Sequence, residues 1–436
     1  MRWAIILLFA PALAAQPAYD LLLRNGHLVD PKNGISGRRD VAIKDGRIAN
    51  VSARIDPARA VKAIDLEGLH VTPGLIDLHA HIIPGAGLRG SLPIDQNVYA
   101  DSHTLRSCVT TAVDAGSSGW RTFAAFRETV AGQVYTRVFA LINIVGAGQG
   151  GGASEQNVDD MDPEATAAAI KANRDLIVGI KTAHYRGPEW VAVERAVKAG
   201  ELAGVPVMVD YGAFRPERPF QELVLKKLRP NDIYTHTYLG AVPMLDENGK
   251  LLPYLLEARR RGVKFDVGHG GGSFLFRQAV PAIRQGFLPD SISTDLHTGS
   301  MNGAMNNMLN VMSKFLNMGM RLEDVVGSST WNPARQIQRT ELGHLGAGAP
   351  ADIAVLRVET GTFGFVDVSG GKLTGTRRLA CEMTIRDGHV VYDLNGLTRT
   401  EWDRLEKDYR ADPASGWDWV IGSPRLGLNA PGARKQ

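Results

Sequence analysis

Between residues 71 and 340 the chain keeps repeating one phrase, a short and nearly unbroken apolar run followed by a longer stretch of helical character. The runs fall at 71–81, 108–116, 138–146, 176–182, 206–212, 232–240, 264–269 and 291–297, with helical material between them, as at 163–173 and 189–203. Unalternating apolar runs suit strands covered on both faces, and strands that alternate with helices suit parallel βα units. Eight such units predict a closed (β/α)8 TIM barrel over 71–340 rather than an open, doubly wound sheet.

Outside that span the pattern shortens. The runs 21–23 and 40–44 lead into Asn25-Gly26 and Asp45-Gly46, dipeptides that favour hairpin turns, and the same grammar returns at 351–356 and at 384–392 around Asp387-Gly388. Residues 16–70 and 341–400 are therefore expected to form one small β-sandwich, brought together by the barrel between them. After residue 400 come Trp402, Trp417, Trp419 and several prolines, and 401–436 is expected to pack as a tail.

Composition adds bounds rather than an identity. A hydrophobic share of 44% and a charged share of 22% over 436 residues are those of an ordinary globular chain, and 48 glycines agree with many tight turns. The formal charge of +3 gives no reason to expect nucleic acid or an anionic membrane as partner. Residues 1–15 read as an export signal: Arg2, an apolar run too short to span a bilayer, Pro11, then small residues at Ala12, Ala14 and Ala15. The mature protein is thus expected in the periplasm or outside the cell, without a membrane anchor. Cys108 and Cys381 stand far apart with no motif partner, and are expected as two buried free thiols, although an oxidising compartment would permit a disulfide.

The chemistry gathers at the C-terminal ends of the expected strands, where barrels of this kind place their active sites. His79 and His81, one residue apart, share a face at the end of the first run. Lys181 ends the fourth, Asp210 the fifth and His269 the seventh, while His236 lies in the sixth and Asp295 in the eighth. Each alone has an ordinary use, His236 as a hydrogen-bonded interior residue or Asp295 as a helix cap. Repetition of ligand-type residues at one end of the barrel points instead to a metal site.

The stretch from Pro73-Gly74 to His79-Ala80-His81, with Lys181, His236 and Ser293-Thr294-Asp295, resembles the amidohydrolase superfamily of metal-dependent hydrolases. The resemblance runs through Asn25-Gly26 and Asp45-Gly46 to Thr330-Trp331-Asn332-Pro333 and Gly348-Ala349-Pro350-Ala351-Asp352, and so covers most of 19–395. Thr235-His236, Gly268-His269-Gly270 and Thr294-Asp295-Leu296-His297 are similar to its dihydroorotase-like deacetylase and D-aminoacylase-like branch.

The resemblance implies one or two divalent ions, usually zinc, with His79, His81 and Asp295 on the first and Lys181, carboxylated by carbon dioxide to a carbamate, bridging both. Relatives commonly carry a histidine at the end of strand five; here Asp210 stands there, and is expected to join His236 at the second ion. Asp295 would serve as general base and then general acid, and His269 would contact the substrate or the developing oxyanion. His184, Arg186 and His297, just past strand ends, are candidates for substrate contact. The implied activity is hydrolysis of an amide or ester in a small acylated molecule such as an N-acyl amino acid. A cyclic amidase of the hydantoinase or dihydroorotase kind is the alternative, as is a metal-binding protein that has lost catalysis. A homo-oligomer is left open.

Overall fold

The computed structural model describes residues 17–82, 97–130, 133–149, 152–211 and 214–405. The leader expected at 1–15, and the tail beyond 405 with Trp417 and Trp419, lie outside them.

The N-terminal flank supplies β1 (Tyr19–Asp30), β2 (Ile35–Lys44), β3 (Arg47–Ser52), β4 (Ala60–Asp65) and β5 (His70–Pro73). Asp45 and Gly46, with φ of 49° and 73°, make the tight β2–β3 hairpin expected of Asp-Gly. Asn25-Gly26 does something else. β1 runs straight through it, and the pairing with β2 shifts register between Leu23 and Gly26, so this dipeptide makes a bulge inside a long strand. Asp40 holds the bulge by accepting from Asn25 N–H at 2.8 Å, and a Cβ at position 26 would come within 2.6 Å of Val71 Cγ2.

The barrel wall follows as β6 (Leu75–Ala80), β7 (Val109–Gly119), β8 (Arg137–Asn143), β9 (Ile177–Thr182), β10 (Val207–Val209), β11 (Ile233–Tyr234) and β12 (Lys264–Phe265), all parallel and adjacent in chain order. The eighth run, 291–297, closes the ring through isolated parallel bridges, Asp266 to Ser291 and Ala80 to Leu296. His81 N–H donates to Leu296 O at 2.8 Å and Gly270 N–H to Thr294 O at 2.8 Å, so the seam lies beside the chemistry. Ile76, Leu78, Val113, Phe139, Leu141, Val178, Met208 and Ile233, drawn from β6 to β11, fill the interior below it.

The surrounding helices are local in origin. Pro163–Ala172 starts on Asp162, whose carboxylate accepts from Ala165 N–H at 2.9 Å, and turns Thr166, Ala167 and Ile170 inward. Val191–Ala203 buries Ala192, Val193, Ala196, Ala199 and Ala203 at helical spacing and stops at left-handed Gly204.

The C-terminal flank adds β13 (Ile353–Val366), β14 (Lys372–Arg386) and β15 (His389–Asp393). All eight flank strands form one continuous sheet, in the order β15-β14-β13-β5-β1-β2-β3 with β4 on β1. It curls on itself: Gly46 O accepts from Ala351 N–H and Ala351 O from Gly388 N–H, joining hairpins from opposite ends of the sheet around Leu23, Val41, Ile43, Val355, Met383 and Ile385. Only Gly74 separates β5, at the sheet's centre, from β6 of the barrel.

The two cysteines do not stay free. Cys108 and Cys381, 5.7 Å apart at Cα and 273 residues apart in sequence, form a disulfide that ties the start of β7 to β14. The two barrel and flank strands pack together, which no local pattern around either cysteine discloses.

Candidate metal centre

His79 and His81 leave the end of β6 with both Nε2 atoms turned to one carboxylate. Asp295 Oδ1 lies 3.1 Å from His81 Nε2 and 3.5 Å from His79 Nε2. Among the described residues these three make the one group whose donor atoms all fall within 4.8 Å of one another. Burial disfavours charge on Asp295, and with no ion between them only protonated forms of His79 and His81 would outweigh it and hold the carboxyl below its usual range.

The other ring nitrogens are fixed by the protein. His79 Nδ1 meets Thr235 Oγ1 at 2.9 Å, and that hydroxyl donates to Asp266 at 2.8 Å. His81 Nδ1 meets Ser117 Oγ at 3.3 Å, and Ser117 donates to Asp114 at 2.8 Å. A hydroxyl whose hydrogen is spent on a carboxylate must accept from the imidazole, so Nδ1 carries the proton and the Nε2 lone pair faces inward. That is the form in which histidine binds a metal.

Lys181, at the end of β9, is fully buried with Nζ 2.9 Å from His79 Nε2. Burial pushes its ammonium pKa down. Gly116 makes room for the stem, since a Cβ there would lie 2.8 Å from Lys181 Cβ and Cγ, and its φ of +91° suits glycine alone.

Across the barrel, Asp210 Oδ2 lies 3.3 Å from His236 Nε2 and 3.3 Å from His184 Nε2. His236 donates from Nδ1 to Gly268 O at 2.6 Å, while His184 Nδ1 is 3.2 Å from Glu155 Oε2. His184 is thus set among the ligand-type groups, not only at the rim as a substrate contact. Glu155, which no feature of its polar surroundings singles out in the sequence, is completely buried behind it. Arg186 is exposed beyond this group, its backbone N–H on Gln156. His297 flanks Asp295 with Nε2 3.9 Å from Oδ2, and its Nδ1 accepts from Gly299 N–H at 3.0 Å, which leaves the hydrogen on Nε2.

His269 departs from expectation. It has no exposed surface, stacks on Phe274 at 4.6 Å, and spends both nitrogens inside the protein: Nδ1 on Gly270 O at 3.0 Å, Nε2 on Lys314 Nζ at 2.7 Å. Burial and Lys314 hold its pKa down to about 3. Such a ring has nothing left to offer a substrate, and the seventh strand end contributes instead Gly270, where a Cβ would approach Asp295 Oδ2 to 2.4 Å.

Three of these residues are held in a backbone conformation that side chains disfavour. His184, His236 and Asp295 have φ of 57°, 60° and 51°. Strain of this kind costs roughly 1–3 kcal/mol per residue and clusters at functional sites.

The donor set suits a divalent metal ion: imidazole nitrogens with Nε2 inward, carboxylates, and a buried amine that ligates only after losing its positive charge. Residues 276–391 match the model of the amidohydrolase family. A deacetylase from Brucella anthropi is 33% identical over 320 residues, which is 72% of this chain and 77% of that protein. A deacetylase from Enterococcus faecalis is 30% identical over 387 residues, covering 86% and 99%. Among solved structures, an adenine deaminase superposes with a TM-score of 0.78 at 28% identity, over 86% of this chain and 100% of its own. A dihydroorotase gives 0.73 at 29%, over 86% and 99%. The fold, the site and these relatives agree: the chain belongs to the amidohydrolase family, and is a metal-dependent hydrolase of carbon–nitrogen bonds.

Proposed function

We propose that the chain removes the acyl group from small N-acylated molecules of the N-acyl amino acid class, with zinc as its ion and Lys181 carrying a carbon dioxide-derived carbamate. The observation that carries this is the position of Asp295, with one oxygen against His79 and His81 and the other left open by Gly270 and faced by His297. His79, His81, Asp295 and the carbamate of Lys181 would hold the first ion, and the ion supplies an acidified water and a polarised carbonyl. Asp295 takes the proton of the attacking water and returns it to the leaving nitrogen. His297, its Nε2–H facing Asp295, takes over the hydrogen-bonding role expected of His269 and donates to the substrate oxygen.

The deacetylase names of the Brucella and Enterococcus relatives support an acyl substrate, while the dihydroorotase neighbour keeps cyclic amides as the comparison. The Cys108–Cys381 disulfide supports export to an oxidising compartment, in line with the apolar leader. The test is a zinc-reconstituted enzyme offered N-acetyl amino acids of both configurations, acetyl esters and cyclic amides. Turnover centred on the acylated amino acids is expected; metal uptake with no turnover of any of them would overturn it.

A further inference from the structure

Asp210 occupies the strand-five position, so one imidazole nitrogen is missing from the half of the site opposite His79 and His81. Another imidazole lies within reach. His184 lies three residues beyond Lys181, on the loop that leaves β9, and its Nε2 reaches the same Asp210 oxygen as His236 Nε2, each at 3.3 Å.

Its ring is held as the other three are. His79, His81 and His236 each fix Nδ1 on a protein group and turn Nε2 inward; His184 does so with Nδ1 on Glu155. Glu155 has no exposed surface, and its second oxygen, Oε1, is buried without a hydrogen-bond partner. An ionised carboxylate so placed is costly unless cationic charge lies close by, and a metal-bound imidazole backed by a carboxylate is a recurrent arrangement that provides it.

We propose that His184 is a nitrogen ligand of a second divalent ion, together with His236 and Asp210, and that Glu155 is the positioning residue that fixes its ring. The assignment rests on the metal-dependent reading above. It makes the change at strand five a relocation of the ligand rather than its loss.

The full chain, stripped by chelator and dialysed, is titrated with zinc and separately with cobalt, with metal content read by mass spectrometry and cobalt by its visible absorption. Wild type is expected to take up two ions per chain and His184→Gln one, with loss of part of the cobalt absorption. Glu155→Gln is expected to keep two while binding the second ~10–100-fold more weakly. Equal uptake and affinity in wild type and His184→Gln, whether of one ion or of two, would overturn the assignment. No uptake by wild type would instead sink the metal-dependent reading itself. Thermal melts of the metal-free proteins show whether His184→Gln is folded; if it is not, Glu155→Gln decides, and an unchanged second affinity there counts against the proposal.

Discussion

Lys181 Nζ lies 2.9 Å from His79 Nε2, and neither side chain reaches solvent. A free ammonium there would compete for the lone pair that the metal needs, whereas a carbamate removes the cation and adds two oxygens. Zinc reconstitution of the stripped enzyme is therefore expected to yield several-fold more activity in bicarbonate than in carbon dioxide-free buffer, and Lys181→Met is expected to be inactive in both. Identical recovery with and without bicarbonate would refute the carbamate.

Asp295 carries the proton transfers, and general acid–base groups contribute typically ~10²–10⁴ in rate. Asp295→Asn is expected to lower kcat by at least that range while metal is still bound, because His79 and His81 keep their hydroxyl partners. Metal analysis beside steady-state kinetics checks it. Activity within a few-fold of wild type would remove Asp295 from the mechanism.

Thr235 offers a quieter test. Its hydroxyl links His79 Nδ1 to Asp266, and Thr235→Val keeps the volume while deleting the link. Zinc affinity is expected to fall ~10–100-fold, with activity regained at high zinc and with Thr235→Ser close to wild type. Chelator competition measures this, and an unchanged zinc affinity in the valine variant would count against the relay.

Lys314 yields a prediction in pH. It is buried against His269 Nε2, Ala304 O and Val366 O, and burial lowers its pKa from 10.5 to about 7. The unfolded chain therefore binds this proton at higher pH than the folded one. This group's contribution to stability rises as pH goes from about 7 towards 10.5 and is flat below. Thermal melts across that window should show the gap between wild type and Lys314→Met moving in favour of wild type as pH rises; a constant gap would mean that Lys314 does not titrate there.

The parts of the fold and site legible in the sequence are those encoded locally. Apolar runs separated by helices predict the barrel, and His79, His81, Lys181 and Asp210 at the ends of their runs, with His236 and Asp295 inside theirs, mark one end of it. What could not be read depends on partners far away in the chain. Glu155 is a glutamate in a polar loop until the fold buries it behind His184. Thr235 and Asp266 look like ordinary strand residues until His79, 156 residues from Thr235, rests on the hydroxyl. His269 misleads for a related reason: position at a strand end does not say what the ring will touch, and here Phe274 covers its face and Lys314 takes its Nε2. Asn25-Gly26 has the grammar of a hairpin, yet Asp40, Asp65 and Val71 make it a bulge.

The junction at Gly74 sets an order of events in biosynthesis. The first ligands, His79 and His81, emerge early from the ribosome, but β6, which carries them, continues from β5, and β5 is flanked in the finished sheet by β13. Val71 pairs with Val355 and Pro73 with Ile353, so the clamp on the earliest ligands is among the last segments to be made. Contacts of such long sequence separation form late and slowly. A polypeptide truncated before residue 353 would keep β7 and the 291–297 run beside the His-x-His strand, but its lead-in, β5, would be held by β1 alone.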